Sequence, residues 1–145
     1  MKYSKYPVLI DDSQTRYEFF SEGPAGRVTK VIFYEHMMGN LFNLAFGDWN
    51  EEEDKIDDTI RSNNGDRDKV LATVAESAID FTNRFPGSII YTEGSTPGRT
   101  RLYQMGIASN LEEIVQMFEI EGSINGEWEI FQQGRNYDAF LARRK

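Results

Sequence analysis

Apolar and polar positions alternate along the first third of the chain and then change period. Residues 16–22, rich in aromatics, and 27–35 flank Gly23-Pro24-Ala25-Gly26, and 41–47 follow the Met38-Gly39-Asn40 turn. Period-two patterning broken by Gly, Pro and Asn is the signature of strands and turns, so a three-stranded antiparallel meander is predicted. From residue 66 the period becomes helical. Val70, Leu71, Val74, Ala75, Ala78 and Phe81 line one face, and Phe85-Pro86-Gly87 closes the helix near Arg84. Asp66 is its predicted N-cap, and Asp68 suits the positive end of its dipole.

The pattern then returns to strand over 88–92. Thr96 and Pro97 are read as the N-cap and first residue of a helix reaching Ala108. Ser109-Asn110-Leu111-Glu112 reads as a capping box opening a further helix with Leu111, Ile114, Val115 and Phe118 on its apolar face. Residues 120–124 and 127–131 flank Asn125-Gly126, a strong type I′ hairpin signal. A last strand is read over 137–142, with a frayed basic end at 143–145. The order predicts an α+β fold: a mainly antiparallel sheet, with an N-terminal meander and a C-terminal hairpin, covered by two to three helices. With 145 residues and no linker-like tract, the chain reads as one domain over 1–145.

Composition removes several function classes. The absence of cysteine excludes disulfides, thiolate zinc sites and a cysteine nucleophile. No apolar run approaches the ~20 residues of a membrane helix. The apolar stretch at Val8-Leu9-Ile10 is too short for a signal peptide, so a cytoplasmic location without membrane partners is expected. The net charge of −8 is uneven: residues 48–66 hold eight acids against Lys55 and Arg61, and the remainder is nearly neutral. The overall negative field disfavours nucleic acid as a partner. The ten Phe, seven Tyr and two Trp are read chiefly as core and cross-strand pairs rather than as stacking platforms for single strands.

No P-loop, Gly-x-Gly-x-x-Gly, HExxH or nucleophile elbow occurs. His36 is the only histidine, sits at a strand end and is assigned a surface or structural role.

Three segments together carry a family resemblance: Tyr17-Glu18-Phe19-Phe20-Ser21-Glu22-Gly23-Pro24 with Gly26, then Asn43-Leu44-Ala45-Phe46-Gly47-Asp48, then Gly94-Ser95-Thr96 with Arg99-Thr100-Arg101-Leu102-Tyr103. The chain resembles, over nearly its whole length, a family of small uncharacterised bacterial proteins associated with Bacteroidetes-type genomes. The resemblance implies a bacterial, cytoplasmic, single-domain protein and implies no particular activity.

Two places are candidates for chemistry. The first is the strand–loop–helix junction over 94–103. A small-residue loop entering a helix offers backbone N–H groups and a positive dipole end, an arrangement that binds anions. Ser95, Thr96, Gly98, Arg99, Arg101 and Tyr103 are the predicted ligand-binding residues. Free N–H groups are expected at Gly98 and Arg99. Arg99 and Tyr103 share a helix face, whereas Arg101 lies on another, so a two-arginine clamp requires a partner segment. The simpler account is an ordinary cap with arginines paired to the abundant acids. The second place is the acidic stretch, read as a charged and mobile loop over 48–58 with a short strand at 59–61. No metal site or cofactor is predicted. The acids nearest to a metal site are Asp48, Asp57, Asp58 and Asp66, and the EF-hand register fails because Glu53 stands where glycine is required.

No catalytic residues are identifiable. The sequence therefore favours a non-catalytic binding or interaction module that takes a small anion, an acidic partner or a second copy of itself. The alternative is a metal-dependent enzyme acting on a phosphorylated or nucleic-acid substrate.

Overall fold

The computed structural model describes residues 3–57 and 64–145. In chain order the elements are β1 (Leu9–Ile10), β2 (Arg16–Gly23), β3 (Gly26–Met38), β4 (Leu41–Asn50), β5 (Lys55–Asp57), α1 (Arg67–Arg84), β6 (Ile89–Thr92), α2 (Pro97–Ser109), α3 (Leu111–Met117), β7 (Phe118–Ile124), β8 (Glu127–Ile130) and β9 (Ala139–Arg144). The fold is α+β, with one nine-stranded sheet ordered β1-β2-β3-β4-β6-β9-β7-β8 and β5 attached to β4. Among the described residues, all pairings are antiparallel except β4 with β6. No helix among the described residues is long and apolar enough to cross a membrane.

The helices cover one face because the meander alternates in phase. Tyr17 and Phe19 of β2, Ile32 and Tyr34 of β3, and Leu44 and Phe46 of β4 point into the same core cluster as Val70, Val74 and Phe81 of α1. Cross-strand register brings Tyr17 opposite Ile32 and Ile32 opposite Phe46. A second cluster joins Ile114 of α3 to Phe118 and Ile120 of β7, with Ala75, Ala78 and Ile107 packed against it. Eight of the nineteen aromatics are buried, Tyr17, Phe19, Tyr34, Phe46, Phe81, Phe118, Tyr137 and Phe140, and Tyr6, Phe42, Phe85, Tyr103 and Phe131 pack partly buried against the core clusters. Asn125 and Gly126 both adopt positive φ, as the two-residue β7–β8 turn demands.

Several local expectations need correction. Residues 48–58 are not a loop throughout. β4 runs on to Asn50, turns over 51–54 and pairs with β5, placing Trp49 opposite Ile56. That pair supplies the apolar anchor that the run of acids hides. The strand read at 59–61 lies outside the described residues. Asp66 occupies the N-cap position of α1 but makes no side-chain cap bond, since its carboxylate accepts instead from Tyr6 Oη at 2.5 Å and Ser21 Oγ at 2.6 Å. The capping box at the start of α3 does not form either. Asn110 ends α2 and begins α3, and its amide donates to the Gly106 carbonyl. The basic C-terminus is not frayed: Arg144 belongs to β9 and donates to Thr82 Oγ1 and Asn83 Oδ1, while Lys145 N–H bonds Met117 O. His36 has the structural role assigned to it, with Nε2–H donating to the Gly39 carbonyl at 2.8 Å.

Two buried tyrosines make stability pH-dependent. Burial, reinforced at Tyr17 by a hydrogen bond to Asp80, pushes both Tyr17 and Tyr34 well above the ordinary phenol range. The folded state then holds protons that the unfolded chain releases near pH 10. Stability is expected to be intact below about pH 10 and to fall as pH rises toward the raised values. Urea unfolding from pH 8 to 11 measures this, and Tyr34→Phe should reduce the alkaline slope. An unchanged slope in that variant would refute the assignment.

Candidate anion-binding site

On the helix-facing side of the sheet, the apolar rows end in charge. Lys30 lies two residues before Ile32 in β3, and Asp48 lies two after Phe46 in β4, so both continue the inward-facing rows. The register places them directly opposite one another, and Lys30 Nζ meets Asp48 Oδ1 at 2.5 Å with both residues buried. A buried cation of this kind requires such a partner.

Beyond this pair the sheet and helices separate around an open cavity of about 650 Å³. Phe46, Val70, Leu71, Leu102 and Met105 form apolar wall. Lys30, Arg67, Arg99 and Arg101 bring positive charge to the same space, against Asp48 and Asp66. Arg67 is the first residue of α1, and Pro97 and Gly98 begin α2, so both helices present their positive ends to the cavity. The cavity is within the range of small-molecule sites, apolar in the main with a few convergent polar groups.

The polar frame is fixed by neighbours. Asp66 is held by Tyr6 and Ser21, and the Tyr6 hydroxyl is raised above its ordinary range first by burial and then by its bond to that carboxylate. Asn64 is buried: its amide donates to Ser21 Oγ and the Gly26 carbonyl, and its Oδ1 accepts from Ala25 N–H at 2.7 Å. It clamps the β2–β3 turn against the start of α1. Gly23 must be glycine there, since a Cβ would sit 2.3 Å from the Asn64 carbonyl oxygen.

The 94–103 junction is closely packed and hydrogen-bonded. Thr96 caps α2 by accepting from Arg99 N–H at 3.2 Å, and Thr100 Oγ1 accepts from Gly94 N–H at 3.0 Å. A Cβ on Gly94 would lie 2.2 Å from Thr100 N, so the loop packs directly on the helix. The cap engages the Arg99 N–H, which is therefore not an open anion donor as predicted. The Arg99 guanidinium reaches the Asp57 carbonyl at 3.5 Å, at the fork where β4 pairs with β5 at one end and β6 at the other.

The predicted site residues divide accordingly. Gly98, Arg99 and Arg101 line the large cavity. Ser95 and Thr96 line a neighbouring polar cleft that also contains Arg101, Gln104 and Asp138. Tyr103 packs against the core cluster and shares a third cleft with Arg99. Arg99 and Arg101 line one cavity together with Arg67 of α1. The sequence did not mark Lys30, Arg67, Leu102 or Met105 as lining this space. A signal for Lys30 existed: a charge in phase with Ile32 and Tyr34 on a core-facing row.

Among the described residues, the acids named as nearest to a metal site have other partners or places. Asp48 is paired with Lys30, Asp66 is held by two hydroxyls, Asp57 belongs to β5, and Asp58 lies outside the described residues. No group of three or more metal-ligating side chains occurs among the described residues.

No curated protein and no solved structure matches the chain. A family model matches residues 2–145, nearly the whole length, and on that match the chain belongs to DUF6934, a family of unknown function.

Proposed function

We propose that this single domain is a cytoplasmic, non-catalytic binding module that takes an anionic ligand in the cavity between β3, β4 and the starts of α1 and α2. One observation carries the reading: Lys30, Arg67, Arg99 and Arg101 line one apolar-walled cavity, and Arg67 and Arg101 among them are exposed. In a protein of net charge −8, two exposed arginines, Arg67 and Arg101, brought to one cavity are a feature that folding alone does not require. Two helix N-termini add to it.

Titration calorimetry with inorganic phosphate at low salt tests the reading. Binding is expected, weakening as salt rises. Arg101→Ala and Arg67→Ala are each expected to weaken it about fivefold to tenfold, a coupling of roughly 1–1.4 kcal/mol, while leaving the unfolding midpoint essentially unchanged. Both arginines are exposed. Wild-type affinity in both variants, or no binding to the parent, would overturn the assignment.

A further inference from the structure

We infer that the ligand is an amphipathic anion: one anionic head, carboxylate or phosphate monoester, on an apolar body. The inference rests on the anion-site reading above and adds what the rest of the cavity requires. A cavity of about 650 Å³ is far larger than one phosphate needs. Its wall includes Phe46, Val70 and Leu71, three side chains that are each less than 8% exposed and yet border this space. Leu102 and Met105, from the second and third turns of α2, extend the same apolar surface. Leu102 and Met105 are only half-buried, and a ligand with an apolar body removes their contact with water.

The charges argue against a polyanion. Asp48 and Asp66 stand on the same lining as the cations, and both are fixed in place, by Lys30 and by Tyr6 with Ser21. Each further anionic group on a ligand in this space would add repulsion from these two carboxylates. Neither of these arginines makes an ion pair with another described residue. The head belongs at the exposed arginines and the body against the apolar wall.

A homologous series tests this on the intact protein: inorganic phosphate, methyl, butyl and hexyl phosphate, with hexanoate and hexanol as controls. Affinity is expected to climb with chain length, by up to about fourfold per methylene that reaches the apolar wall. Arg101→Ala should weaken the phosphates uniformly. Leu102→Asn, or the milder Met105→Gln, should flatten the chain-length dependence while leaving inorganic phosphate binding intact, which also shows that the variant is folded. Hexanoate matching or exceeding hexyl phosphate assigns a carboxylate head, and the reverse order assigns a phosphate head. A series that binds but is flat with chain length overturns the amphipathic ligand and leaves the anion site standing. Hexanol binding as tightly as hexyl phosphate, or no binding by any anion, overturns the anion site itself.

Discussion

Asp48→Ala is expected to destabilise the fold by about 3–5 kcal/mol, as measured by urea unfolding near neutral pH. The loss comes less from the attraction removed than from the charge left behind. Lys30 is only 9% exposed and holds the Asp48 carboxylate at 2.5 Å on the neighbouring strand. Without that carboxylate, the ammonium loses its cross-strand ion pair while staying on the inward-facing row of β3. The double change Lys30→Met with Asp48→Leu supplies the control. Replacing both members of a buried pair with apolar groups is often neutral, so the double variant should recover most of the stability lost in the single one. An additive double variant, or a single-variant loss below about 1 kcal/mol, would show that the pair behaves as an exposed one. The double variant should also weaken phosphate binding if Lys30 contributes to the field of the cavity.

Phe81→Ala is expected to cost a similar amount, about 3–5 kcal/mol, by a different route. Phe81 is fully buried on α1. Its ring stacks on Tyr34 with centroids 4.2 Å apart and meets Phe42 and Phe85 at 5.0 Å each. Truncation opens a cavity where α1 crosses the meander, and the neighbouring rings are fixed by β3, β4 and the end of α1, so little collapse is available. Phe81→Leu retains most of the volume and should lose distinctly less. A loss under about 1 kcal/mol for the alanine variant would place Phe81 outside the energetic centre of the core.

The elements follow from local rules, and these were legible. The meander follows from period-two apolar positions separated by turn residues, α1 from its helical stripe, α2 from Thr96 with Pro97, and the β7–β8 hairpin from Asn125-Gly126, whose positive φ values are those the turn requires. Local rules failed where a side chain had a better partner far away. Asp66 is a good N-cap by type, yet Tyr6 and Ser21 take its carboxylate. Asn110 bonds back into α2 instead of joining a capping box. The acidic stretch reads as a loop, but the cross-strand pair Trp49–Ile56 draws it into a hairpin.

The sequence by itself determined the α+β class, the main strands and helices, and the core face of α1, because each depends on the period of a few neighbouring residues. It also singled out Arg99 and Arg101, because a small-residue loop entering a capped helix is recognisable in one segment. Only the tertiary structure decided the strand order, with β9 inserted between β6 and β7, since strands distant along the chain choose partners by packing and register. The cavity was decided in the same way. Its charges come from β3, β4, α1 and α2, and nothing in the spacing between Lys30, Asp48, Arg67 and Arg101 announces that they meet. Their proximity arises because the inward-facing rows of β3 and β4 run out of apolar residues where two helices begin.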